Sequence, residues 1–361
     1  MSIPSQFAPD GPPKPVVGEG EFPFAAIGLD HGHIYGMCEA LIQAGATLRY
    51  VYDPDPAKVA DFKRRFAEVE VLESEGAVLE QDIKLVAAAP VTSERAALGL
   101  RAMDAGKDYF VDKAPFTSLE QLEAIKAKVA ETGRKYMVYY SERLHVESAV
   151  HAGALVNDGA IGRVIQVLGL GPHRLRIDTR PAWFFERDKY GGILCDIGSH
   201  QIEQFLEYGG VEEAEVSAAR VENFAHPEYP ELNDFGEATL KGDNGCANYF
   251  RVDWFTPDGL STWGDGRTVI LGTEGTIELR KYTDLAREAT GNHLYLVNGE
   301  DEYHLDLNGK VGHPFFGKFV LDCLNRTETA MTQAHAFKAG ELAVRAQRTA
   351  EHSVTGSRNS A

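Results

Sequence analysis

Asp196-Ile197-Gly198-Ser199-His200 sets a carboxylate and an imidazole four residues apart. On a helix that spacing projects both side chains from one face. Imidazole has the unperturbed pKa best suited to taking a proton from an alcohol near neutral pH. A neighbouring carboxylate orients it and stabilises its charged form. Gly191-Gly192, just upstream, lets backbone approach a ligand closely. The same residues also suit a buried histidine satisfied beside a helix cap. Lys113 follows the apolar run Asp108 to Val111, within Asp112-Lys113-Ala114-Pro115. A lysine at a strand end can donate to a substrate oxygen and to a cofactor, or can be solvated surface. Arg143 follows the next apolar run and carries the same two readings.

A second constellation is suited to binding an anion. The apolar run Phe24 to Ile27 stops at Gly28 and continues as Leu29-Asp30-His31-Gly32-His33-Ile34-Tyr35-Gly36 before a helical pattern. Strand, glycine loop and helix N-terminus aim backbone N–H groups and a helix dipole at one point, which suits a diphosphate. The loop departs from a strict GxGxxG. Asp30 and His33 fall where the second and third glycines belong, or Gly32 acts as second glycine in a loop two residues longer. Asp30 near a diphosphate is repulsive unless it points away. Asp53 ends the next strand, about 25 residues after Gly28 and close to the ~20 expected of the acid that binds an adenosine ribose. A carboxylate there favours NAD over NADP; it also suits a turn and helix cap before Pro54 and Pro56. His31 and His33 lack an evident third metal ligand in the nearby sequence, so loop hydrogen bonding is expected of them and no metal.

The elements that must position these residues alternate. From 24 to about 140, strands Thr47 to Tyr52, Ile83 to Ala89, Asp108 to Val111 and Tyr136 to Tyr140 interleave with helices Tyr35 to Ala44, Pro56 to Phe66, Ser93 to Ala105 and Leu119 to Glu131. Glu68 to Leu72 reads as a further short strand. This is the pattern of a doubly wound parallel sheet. After a helix (Val146 to Asp158) and a strand (Gly162 to Leu170), a long connection from Gly171 to Gly192 carries His173, Arg180 and Trp183. These are candidate substrate groups or surface residues. Asp196 to Tyr208 reads as a helix. Strands from Ala214 to Val297 imply a large, mostly antiparallel sheet, and helices Phe315 to Asn325 and His335 to His352 close the chain. The expected division is a flexible arm (1–21), a dinucleotide-binding domain (22–142) and a substrate-binding and dimerisation domain (143–361).

The totals narrow the function. Against 36 Lys and Arg stand 54 Asp and Glu, a net charge of −18. Such a surface repels nucleic acid and anionic lipid. Four dispersed cysteines form no CxxC pair, so neither a disulfide framework nor a structural zinc is expected. The N-terminus lacks the basic and apolar regions of a secretory signal, and no apolar stretch is long enough to span a bilayer. The cytoplasm is the expected compartment.

In order and spacing these pieces resemble the Gfo/Idh/MocA oxidoreductases, from about residue 22 to 352. The glycine loop and Asp53 come first, then Pro90 after an apolar strand. Asp112-Lys113 resembles the family's Glu-Lys-Pro motif, and Asp158 to Val164 its turn into the second domain. Gly191 to His200 resembles its Gly-Gly…Asp-x-x-x-His segment, and Gly272 to Thr276 a late sheet turn. The resemblance implies a Rossmann domain followed by an α+β domain whose open sheet forms a dimer interface, in a homodimer or homotetramer. It implies NAD held by Gly28, Asp30, His31, Gly32, His33, Ile34, Asp53, Pro90, Asp112 and Lys113. Its catalytic group is Lys113, Asp196 and His200. The expected reaction moves a hydride between nicotinamide and a secondary alcohol of a sugar, polyol or related compound, with Arg143, His173, Arg180 and Trp183 toward the substrate. Two alternatives keep the fold: NAD held tightly and used transiently without net redox, or a non-catalytic dinucleotide-binding protein. Ala114 stands where the family has proline after lysine, so a cis Lys–Pro bond is unavailable and only Ala114–Pro115 is expected to become cis cheaply.

Overall fold

The computed structural model describes residues 5–358, with side chains described for 6–352. The chain groups into two compact units. The first comprises Pro13–Tyr139 with His313–Phe337, and the second Tyr140–Gly312 with residues 5–12 and 338–358.

In the first unit, β1 (Pro23–Ile27), β2 (Thr47–Tyr52), β3 (Glu70–Val71), β4 (Leu85–Ala88), β5 (Asp108–Asp112) and β6 (Tyr136–Tyr139) form one sheet in the order β3-β2-β1-β4-β5-β6. Every pairing is parallel. The inner strands read as unbroken apolar runs because helices cover both faces; all of β4 and β5 is buried. The connections supply α1 (His33–Gln43), α2 (Pro56–Arg65), α3 (Glu75–Leu79), α4 (Arg95–Asp104) and α5 (Leu119–Thr132). Their starts are coded locally: Asp55, Ser74 and Ser118 each accept a backbone N–H from the first turn that follows. Strand order reverses between β1 and β4, which opens a crevice beyond their carboxyl ends. The residues after β1, β4 and β5 (Gly28, Pro90 and Lys113) therefore share one rim of the sheet.

The second unit opens with α6 (Ser141–Leu144) and α7 (Glu147–Asn157). An eight-stranded sheet follows: β7 (Val164–Pro172), β8 (Ala214–Glu222), β9 (Phe235–Gly242), β10 (Ala247–Asp253), β11 (Arg267–Gly272), β12 (Gly275–Arg280), β13 (His293–Asn298) and β14 (Glu302–Asp306). Its order is β14-β13-β12-β11-β7-β10-β9-β8. Pairing is antiparallel except for β7 beside β10. Between β7 and β8 run α8 (Arg187–Tyr190), α9 (Ile193–Asp196) and α10 (Gly198–Gly209). Gly169 and Gly171 leave space on the buried face of β7, and Gln201 of α10 occupies it; a Cβ at either glycine would collide with it. α10 thereby packs directly on the strand.

Three expectations change. The residues of the arm that are described (5–21) are anchored within their own units. Phe7 is buried with its ring 5.2 Å from Tyr303, and its carbonyl meets His151 Nε2 at 2.9 Å. Val16 N–H donates to the Ala44 carbonyl. A linear division at 142/143 also misses a return of the chain: α11 (Pro314–Asn325) belongs to the first unit, where Phe315 and Phe319 stack near Phe110 at 6.0 and 5.1 Å. Finally, the helix expected over Asp196 to Tyr208 is interrupted at Ile197. α12 (Gln333–Arg358) ends the described chain. No helix among the described residues is long and apolar enough to cross a membrane.

Candidate functional site

The crevice of the first unit is built around Gly28. Its φ of +75° is left-handed, and a Cβ there would lie 2.7 Å from Pro90 Cβ. Glycine is thus required both by conformation and by the close approach of the loops after β1 and β4. Asp53 is buried at the end of β2. It accepts from Leu29 N–H at 2.6 Å through Oδ2 and from Asp55 N–H at 2.8 Å through Oδ1. Two of about four acceptor positions on the carboxylate are spent on shaping the loop, which leaves the others for ribose hydroxyls. Asp30 is neutralised by Lys58 Nζ at 2.6 Å, so the repulsion expected of it is answered locally. At Gly32 an added Cβ meets open space, and α1 begins at the next residue with Ile34 in its first turn. A glycine cradle, a helix N-terminus and a partly spent carboxylate together fit a dinucleotide.

Asp112 ties this loop to β5. Its two oxygens lie 2.9 Å from His31 Nδ1 and 2.8 Å from His33 Nδ1, and Arg95 Nη2 is 3.2 Å away. Arg95, itself buried, also donates to the carbonyls of Pro90, Lys113 and Ala114. The third donor that His31 and His33 lack in the nearby sequence is therefore supplied from β5. Their three donor atoms lie close enough to share a cation. The guanidinium on the same carboxylate puts a positive charge beside that point, which suits a hydrogen-bonded cluster better than a dication. The cis bond stands at Lys113–Ala114, one position before the bond that could become cis cheaply, and Arg95 donates to the carbonyls of both residues. Lys113 is buried beside this cluster.

Burial and Asp112 act oppositely on His31. Burial dominates, helped by His33 and Lys113, and pushes its pKa from 6.5 down to about 4. The folded protein then holds His31 neutral where the unfolded chain takes up a proton. Stability is expected to fall as pH drops from about 6.5 toward 4, because the unfolded state binds more protons there. Urea titrations across that window check this; the slope should flatten in His31→Asn, and an unchanged slope would refute it.

In the second unit, His200 lies in the first turn of α10, 1% exposed, with Tyr140 edge-on at 6.3 Å. Asp196 ends α9, so the pair spans a helix break rather than one continuous face. The Arg180 guanidinium, 4.5 Å above the Phe184 ring and 4.9 Å from that of Trp254, interacts electrostatically with Asp196. His173 packs against Trp263 at 4.4 Å and Trp254 at 5.5 Å. Trp183 lies in a 3-10 turn beside Phe184, its buried Nε1 without a hydrogen-bond partner among the described residues. Two of the groups singled out have partners within the protein. Arg143 is committed to a buried ion pair with Glu203, with Glu207 at 3.3 Å, because α10 presents both carboxylates one turn apart. Gly192 lets the backbone approach the Gln347 side chain closely.

Two functional-looking groups escape the sequence reading. Glu142, immediately before Arg143, is buried and pairs with Lys281 Nζ at 3.0 Å. Burial would raise its pKa, but Lys281, His200 and His173 together bring it down to about 2. A charged residue beside an apolar strand is the sole signal in its own stretch of sequence. Lys281 has none.

Residues 24–140 match the profile described as an oxidoreductase family with an NAD-binding Rossmann fold, and residues 150–278 match the GFO/IDH/MocA C-terminal domain. A scyllo-inositol 2-dehydrogenase (NAD(+)) of Bacillus subtilis is 29% identical over 237 residues, 64% of this chain and 66% of its own. A D-xylose dehydrogenase of Paenarthrobacter nicotinovorans is 27% identical over 129 residues, 34% of this chain and 33% of its own. The matched stretches thus span just under two thirds and about one third of these curated relatives. A crystal structure from Erwinia carotovora atroseptica SCRI1043, described only as that of an oxidoreductase, is 53% identical with a TM-score of 0.89. That match covers 91% of this chain and 99% of its own.

Proposed function

Because the chain belongs to the GFO/IDH/MocA family, whose N-terminal part is an NAD-binding Rossmann fold, we propose that it is an oxidoreductase acting on a secondary alcohol of a sugar, polyol or related hydroxylated compound. The observation that carries this reading is the crevice at the ends of β1, β4 and β5. There Gly28 packs on Pro90, Asp53 keeps acceptor capacity and Lys113 lies beside the loop. Gly28, Asp30, His31, Gly32, His33, Ile34, Asp53, Pro90, Asp112 and Lys113 would hold the dinucleotide. NAD, when bound, supplies the hydride acceptor.

The chain's own groups supply placement and proton handling. His200 takes the proton of the reacting hydroxyl and returns it in the reverse direction. Lys113 donates a hydrogen bond to that oxygen and stabilises its alkoxide character. Asp196 orients the substrate or His200. His173, Arg180 and Trp183 contribute to binding in the second unit. The substrate class rests on the two curated relatives, whose names are those of inositol and xylose dehydrogenases.

NAD is favoured over NADP because a second anionic group at the ribose would face the Asp53 carboxylate. Calorimetric titration of cofactor-stripped protein is expected to give tighter binding of NADH than of NADPH. In Asp53→Ala, NADH should bind roughly tenfold more weakly and the preference should narrow. Equal affinities in the wild type would remove this role from Asp53.

Self-association belongs to the same reading. The sheet face opposite α10 carries a cross-strand row of Tyr249, Leu168, Val269, Glu278 and Tyr295, with exposed Leu271 and Val297 beside it. Such a face suits a second copy in a homodimer or homotetramer. The free, buried cysteines Cys38, Cys195, Cys246 and Cys323 suit a reducing compartment such as the cytoplasm.

A further inference from the structure

Glu142 holds an uncommon position for a carboxylate. It is 2% exposed, in the first turn of α6. Both of its hydrogen bonds fall on one oxygen: Oε2 accepts from Lys281 Nζ at 3.0 Å and from Gln201 Nε2 at 2.8 Å. Oε1 is buried with no hydrogen bond to any described residue; His173 Nε2 is 3.9 Å from it. A desolvated anionic oxygen lacking a donor is costly. A buried ion pair is also no strong source of stability, since apolar groups of the same volume usually do as well. The arrangement is therefore poorly explained by stability alone.

Its surroundings are aromatic. His173 lies against Trp263 and Trp254. Trp263 lies 4.4 Å from Tyr282, the residue after Lys281. The buried Nε1 of Trp254 also lacks a partner among the described residues. Aromatic faces beside an unmatched acceptor and an unmatched N–H complement a molecule with apolar C–H faces and hydroxyl edges. Gln201, which donates to Glu142, also has a fixed frame, because α10 packs directly on β7 at Gly169 and Gly171.

We infer that Glu142 is a substrate-binding residue: its Oε1 accepts a hydrogen bond from a hydroxyl of a polyhydroxylated substrate, while Lys281 and Gln201 hold the carboxylate in place. The inference rests on the oxidoreductase reading for its substrate class. It adds a residue that selects for the presence of one particular hydroxyl, since a site built to receive a hydrogen bond rejects an analogue that cannot donate it.

The test uses full-length, NADH-loaded protein and a panel of inositols, D-xylose, glucitol and their monodeoxy analogues, with affinities read by calorimetry. The wild type is expected to bind at least one polyol and to bind one of its monodeoxy analogues about 10- to 100-fold more weakly. Glu142→Gln should lose a similar factor for the parent polyol and almost nothing for that analogue, so that discrimination collapses. A purely structural role would weaken every ligand alike, and that result overturns the proposal. Undiminished affinity in the variant overturns it too, as does a wild type that binds NADH but no polyol. Failure to bind NADH would instead sink the oxidoreductase reading beneath it. Should the Gln variant not fold, Glu142→Asp keeps the charge and withdraws it by one methylene. The same selective loss is expected there, and unchanged discrimination refutes the assignment.

Discussion

His200→Asn is expected to lower kcat for alcohol oxidation by about 10²- to 10⁴-fold, the range over which a positioned general base accelerates proton transfer. Asparagine cannot take the hydroxyl proton, yet the surrounding helix should survive. Gln204 bonds to the backbone carbonyl of residue 200 rather than to its ring, and the backbone N–H there donates to the Ile197 carbonyl. NADH affinity should stay within about twofold, because the cofactor loop lies in the other unit. The pH–rate profile separates this role from a packing role. Wild-type kcat should fall on the acid side as the base protonates, and that limb should vanish in the variant. His173 is the competing imidazole, since Glu142 interacts electrostatically with both rings. If His173→Asn loses as much kcat as His200→Asn and His200→Asn keeps its acid limb, the base has been assigned to the wrong histidine.

The largest effect on stability is expected at Asp112. Removing its carboxylate with Asp112→Ala strands the buried Arg95 guanidinium beside His31 and His33. Breaking such a pair from one side costs about 3–5 kcal/mol. The carbonyls of Pro90, Lys113 and Ala114 still accept from Arg95, which argues for the lower part of that range. Asp112→Asn should cost less, because its amide oxygen remains an acceptor for Arg95. Urea unfolding followed by tryptophan fluorescence and circular dichroism measures both. A loss below about 1 kcal/mol in the alanine variant would mean that the backbone carbonyls alone hold Arg95. NADH affinity should weaken along with stability, since the same carboxylate ties His31 and His33 of the loop to β5.

What the sequence discloses depends on the distance over which its information acts. β2 falls on the expected residues because a β-branched and aromatic run between turn signals is a local pattern. Gly28, Pro90 and Lys113 were identifiable because a doubly wound sheet puts every strand end on one rim. β14 escapes the local pattern: Glu302-Tyr303-His304-Leu305-Asp306 contains a single fully buried residue, Leu305, so its alternation is faint. Asp112 as partner of both loop histidines, and Lys281 as partner of Glu142, join residues many tens of positions apart. No spacing rule reaches that far. Arg143 illustrates the converse. A basic residue after a strand looks available until Glu203 and Glu207, on a helix 60 residues downstream, are brought against it.

The return of α11 to the first unit also bears on how the chain is made. Phe110, in β5, is covered by Phe315 and Phe319, which leave the ribosome about 200 residues later. At about 5–20 residues per second that is a delay of roughly 10–40 s. Throughout it, the nascent parallel sheet exposes an aromatic patch and lacks the Arg326 partner of Asp108. The domain whose strands are translated first is therefore still incomplete when its last strand emerges. Until Pro314 and the residues after it emerge, that patch is apolar surface of the kind that favours aggregation.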